Sequence, residues 1–187
     1  MRTAFHKIKA IQKYKELDIY LKNADYFDIK TIEGDIDLRS FISGMLSYYP
    51  WWMVSLYRIR EIIVAILGLV HHEKPETLPS IKPEDLSFEP GDNASFFIVR
   101  DAKEDTYWVA ETPEDKHLTA FFGVVAERSD QNRSRFQVFT CVKYLHWTGS
   151  VYFNLIRPFH HIVVRSMMKA GIKQCRATPR NSFNTVT

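Results

Sequence analysis

Residues 152–170 read YFNLIRPFHHIVVRSMMKA, and Tyr152, Leu155, Ile156, Phe159, Val163, Ser166 and Ala170 fall on one stripe. Apolar and small residues at steps of three and four put one helix face against a broad surface. Gly171 comes next and predicts the helix end, since glycine takes a left-handed cap conformation without strain. The segments upstream supply the surface. Residues 94–100, 105–112, 116–127 and 135–146 are rich in aromatic and β-branched side chains, with only short polar breaks such as AKED, PED and RSDQNRS between them. Breaks that short join antiparallel neighbours, not crossover-linked parallel strands.

Further upstream, residues 25–32 form a first strand pattern and residues 38–46 and 50–67 two helical ones, with Pro50 at a tolerated first turn and Gly68 placed as a cap. Trp52, Leu56, Ile59, Ile63 and Ile66 share a face of the second helix, a core stripe. Residues 71–92 hold Pro75, Pro79, Pro83 and Pro90 and predict a long crossing loop with room for a short edge strand. Helices set apart from one antiparallel sheet make an α+β fold. A twisted sheet wider than one helix leaves a gap that large side chains fill or a pocket occupies.

The chain has 187 residues, 45% hydrophobic and 14% aromatic, enough for one well-buried domain. Its 25 basic and 22 acidic residues give a net charge of only +3, so nucleic acid is not an implied partner. Cys141 and Cys175 have neither metal-ligand spacing nor a redox pair pattern, and read as free thiols in a reducing, cytoplasmic setting. Residues 1–16 form a basic leader: Phe5, Ile8, Ile11 and Tyr14 alternate with lysines, without the apolar run of a secretory signal. Such a leader meets water or a membrane surface, the first being commoner. Arg58, Arg60 and Glu61 interrupt the longest apolar segment, which argues against integral membrane association. Residues 17–171 are expected to form the domain and residues 172–187 a mobile polar tail. Oligomeric state is left open by the sequence.

Several stretches carry a family resemblance: ADYFD from Ala24, LYRIREIIVAILGL from Leu56, DKHL from Asp115 and YFNLIRPFHHIVV from Tyr152. With them the chain resembles the START/polyketide-cyclase-like superfamily, and more narrowly a bacterial family known only as a domain of unknown function. Lys116 and Ser150 stand where arginines are expected. The resemblance implies a helix-grip fold, a curved antiparallel sheet wrapped around a long C-terminal helix. In many relatives that fold holds apolar or amphipathic ligands, but fold alone assigns no activity.

Candidate polar residues are few. His117 opens a strand whose Thr119 and Phe121 share its face, and at a cavity rim it would orient a ligand carbonyl or carboxylate; tied to Asp115 or a backbone carbonyl it would be structural. His160 flanks the core stripe near Phe159 and either reaches the cavity, pairs with a sheet carboxylate such as Glu111, or is satisfied at the core edge, while His161 falls on the solvated side. Arg60 would hold a ligand carboxylate if buried, and Tyr107 would add a hydroxyl. His146 joins the histidines, yet no two sit at helical i, i+4 spacing, so no metal or other cofactor is implied. Nucleophile elbows, P-loops and dinucleotide motifs are absent from the sequence. The reading is a binding protein for an apolar or amphipathic small molecule. Its rivals are a cyclase- or dehydratase-like enzyme with a cavity histidine as general base, and a partner module with a filled core.

Overall fold

The computed structural model describes residues 13–66, 80–113, 116–128 and 133–174. A 3-10 turn at Lys15–Leu17 leads into a short helix α1 (Asp18–Lys22), then β1 (Tyr26–Gly34), α2 (Leu38–Leu46) and α3 (Trp51–Ile66). After a 3-10 turn at Pro83–Asp85 come β2 (Asn93–Ala94), β3 (Phe97–Lys103), β4 (Tyr107–Glu111), β5 (Leu118–Arg128), β6 (Ser134–Tyr144) and the long helix α4 (Trp147–Gln174). The six strands form one sheet in the order β1-β6-β5-β4-β3-β2, every pairing antiparallel. The sheet wraps α4 in the helix-grip, α+β arrangement expected. Most of the basic leader, residues 71–79 of the proline-rich loop, Asp115 and the tail from Cys175 lie outside the described residues.

Local chemistry explains the joints. Asp37 caps α2 by accepting from the Ser40 amide at 2.9 Å, filling one orphan donor of the first turn. Asp105 has a φ of 54° in the β3–β4 turn, a conformation that aspartate tolerates better than most residues. Between Val99 and Asp101 the register with β4 shifts, a bulge that increases local twist.

Two findings depart from the sequence pattern. First, α4 does not stop at Gly171 but continues to Gln174. Gly171 serves close packing instead of capping, because a Cβ there would lie 2.7 Å from the Phe41 carbonyl oxygen of α2. Second, the sheet buries both faces. On the concave face Trp108, Ala110, Phe122, Val124, Phe136 and Val138 meet α2 and the C-terminal half of α4, with Phe41 stacked 4.1 Å from Phe136. On the convex face Val109, Val125, Phe139 and Cys141 are roofed by Leu17, with Tyr14, Tyr20 and Leu21 around it. Leu17 is fully buried, a burial worth roughly 1.5–3 kcal/mol. The Cys141 thiol is unpaired and burial pushes its pKa up to about 12, so it is chemically quiet. Among the described residues no helix is long and apolar enough to cross a membrane.

Candidate functional site

Where α2 covers the sheet, packing is dense; nearer the start of α4 it opens. There α3, the first half of α4 and the concave strands enclose a cavity of about 330 Å³. Its walls are mainly aromatic and aliphatic, with Tyr48, Tyr49 and Tyr57 toward α3, Phe122 and Val142 on the sheet, and Tyr152, Phe153 and Ile156 on α4. A side cleft lined by Leu56, Phe159 and Val163 adjoins it between α3 and α4, and Arg60 and His160 border both spaces.

Strand alternation decides which residues reach this volume. On β6, Thr140 and Val142 face it, whereas Phe139 and Cys141 point to the convex side. On β5, Leu118, Ala120 and Phe122 line it. Phe121 borders it too, although its ring rests 4.8 Å from that of Tyr20 on the other face.

Among the candidate residues, the structure therefore gathers Arg60, His160, Phe121 and Phe159 at the cavity and its side cleft. Tyr107 is elsewhere. It lies on the convex face 5.5 Å from the Tyr14 ring, and its hydroxyl donates to Asp101 at 3.2 Å. Burial, then Asp101, raises its pKa to about 12. Thr119 has the same strand parity as Phe121 and is absent from the cavity wall.

His117 is not at the wall either. Its Nδ1 lies 2.7 Å from Thr148 Oγ1, and the Nδ1 of His146 lies 2.9 Å from the same hydroxyl. A hydroxyl has one proton to give, so at most one of the two imidazoles accepts from it and the other must donate to it. The His117 carbonyl accepts from the Leu145 and His146 amides, and a Cβ at Gly149 would come within 2.1 Å of its oxygen. His117 thus pins the start of β5 to the first turn of α4.

His160 is the polar group that burial has changed most. Its Nε2 is inaccessible and has no hydrogen-bond partner among the described residues. Burial, reinforced by Lys30 and His161, lowers its pKa to about 4, so the ring is neutral at pH 7. Glu111 does not pair with it, being engaged by Arg100. His161 is not simply solvated: its Nδ1 lies 3.0 Å from Lys30 Nζ and its Nε2 3.3 Å from Tyr26 Oη, because β1 runs along that flank of α4. Its pKa is lowered by burial and then by Lys30, Arg165 and Arg157.

Arg60 projects from α3 and donates from Nε to Tyr152 Oη at 2.6 Å, linking the two helices across the cavity mouth. Burial raises the Tyr57 phenol, with Arg60 partly opposing it. Among the described residues no group of three or more histidine, cysteine or acidic side chains is arranged to hold a metal ion.

Fold and site together define a helix-grip domain with an aromatic, sparsely polar cavity under the first half of its terminal helix. By sequence the chain belongs to the family described as Protein of unknown function (DUF2867), whose model matches residues 20–167. Curated proteins give no match. Similar solved structures include hypothetical protein jhp0584 from Helicobacter pylori, at 8% identity and a TM-score of 0.42 over 81% of this chain and 88% of that one. Ara h 8.0201 is similar at 8% identity and a TM-score of 0.39, over 79% of this chain and 98% of its own. An uncharacterized protein from Rhizobium leguminosarum is 11% identical with a TM-score of 0.36, over 80% and 96% of the two chains. Identities this low carry over neither residues nor ligands.

Proposed function

We propose that the protein binds an apolar or amphipathic small molecule in the cavity between the sheet and the first half of α4. The observation that carries this reading is a volume of about 330 Å³, walled by aromatic side chains, in which a buried histidine nitrogen has no partner among the described residues. The volume sits at the lower end of ligand pockets, roughly 300–1,000 Å³, and such sites combine apolar walls with a few polar anchors. A buried donor or acceptor left unpaired is costly, and a ligand polar group would satisfy it. The START-like resemblance of the motifs agrees with this reading. A void of this size weighs against a core filled by its own aromatics.

General-base catalysis is the second reading, and the position of His160 in the wall is what favours it. Its lowered pKa counts against it, because proton abstraction works best when the base titrates near the working pH. Binding therefore stands ahead of catalysis. A reducing, cytoplasmic setting is proposed with it, on a sequence spacing of Cys141 and Cys175 that has no redox-pair pattern.

Val163 lines the cavity and is half-buried, so Val163→Trp is the variant of choice. Wild-type protein should take up Nile red or show a co-purified mass by native mass spectrometry, and the variant should lose both with little change in melting temperature. A wild type that shows neither removes the reading.

A further inference from the structure

Resting on that reading, we infer that the ligand is an amphipathic carboxylate whose anionic head is held by Arg60 at the α3 side of the cavity. Arg60 is half-buried at the border of both the cavity and its side cleft. Its Nε donates to a neutral phenol, Tyr152 Oη, and the guanidinium lies 5.8 Å from that ring centroid. Among the described residues no carboxylate forms an ion pair with it, and neither terminal nitrogen donates to a protein acceptor.

The other described arginines near acids behave differently. Arg39 is paired with Glu104, Arg100 with Glu111 and Arg135 with Glu33, all at the surface. The arginine that borders the apolar cavity is left with a phenol. Anchoring Nε fixes the plane of the guanidinium and leaves its terminal N–H pair as a planar fork, which matches the two oxygens of a carboxylate. Partial removal from water strengthens that attraction relative to a surface pair. The walls beyond it are apolar, with Phe122, Val142 and Ile156 placed to take a hydrocarbon portion. His160 is neutral and supplies no competing positive charge. Charge and surface together select an acid with an apolar body over a neutral hydrocarbon, alcohol or ester.

Displacement of Nile red by dodecanoate and by dodecanol, at a pH where the acid is ionised, tests this in the unmodified protein. The acid should bind about 10- to 100-fold tighter than the alcohol, the range expected for a charge-assisted pair. Arg60→Gln should abolish the preference, and Arg60→Lys should keep part of it, since the charge survives and the fork does not. Thermal melts report whether each variant is folded, and the wild-type comparison needs no variant. Equal affinity for acid and alcohol overturns the inference while leaving the binding cavity standing. A preference that persists in folded Arg60→Gln overturns the assignment to Arg60. Dye binding that neither probe nor the cavity-filling Val163→Trp perturbs overturns both.

Discussion

The two halves of α4 solve different problems with the same helix. Toward its C-terminus it lies so close to α2 that Gly171 has no room for a side chain, and Met168 is buried in the continuous core. Its N-terminal half presents Tyr152, Phe153 and Ile156 toward the sheet, and there a cavity remains. Small residues let backbones approach, whereas large ones hold them apart and leave space between their rings. One half secures the fold, and the other is where a site can exist at a stability cost that the first offsets.

The sharpest break of that contrast is Phe41→Ala. Phe41 is fully buried, stacked on Phe136 and closed over by Gly171, so truncation should destabilise by about 3–5 kcal/mol, measured by urea denaturation. A loss below about 1 kcal/mol would show that the supposed solid half is loosely packed.

His117→Ala is expected to come next. It strips a hydrogen-bond partner from Thr148 at the start of α4 and should cost about 1–3 kcal/mol while leaving Nile red affinity unchanged. Weakened affinity with unchanged melting temperature would restore His117 as a ligand group.

A last effect concerns pH. Because His160 titrates at about 4 in the folded protein and near 6.5 unfolded, the unfolded chain binds more protons between those values. Stability should therefore fall as pH drops from 6.5 toward 4. His160→Leu should flatten that part of the profile and, by removing an unpaired buried nitrogen, leave stability at pH 7 unchanged or slightly raised. An unaltered slope in the variant would assign the pH response to other groups.

Much of this architecture was legible from spacing alone. The bounds of α2 follow from its apolar period, and the antiparallel series from polar breaks too short for crossovers. The roof over the convex face was not legible, since Leu17, Tyr20 and Leu21 span barely more than a turn and lie at the end of a lysine-rich leader. Strand parity grouped Thr119 with His117 and Phe121 but could not say which face met α4, because both faces of β5 are apolar. Tyr107 was a site candidate for its hydroxyl alone, and nothing in the spacing told which face of β4 would carry it. The helical count put His160 at the flank of the stripe, yet whether a flank is wet or enclosed depends on α3 and β1, which only the tertiary arrangement brings alongside. A signal for Tyr152 was available: it is the tyrosine on the α4 stripe, and a half-buried arginine on the facing helix needs an acceptor.

The pairing of β1 with β6 joins Tyr26 to Val142 and Gly34 to Ser134. The first strand made is therefore zipped to the last one made, more than a hundred residues later. At about 5–20 residues per second, a ribosome holds the partners apart for about 5–20 s. Through that interval Leu17, Phe27 and Ile29, destined for the convex face, have no β6 to cover. Nascent chains of this protein should thus be most prone to aggregation, and most in need of chaperones, until β6 has left the exit tunnel.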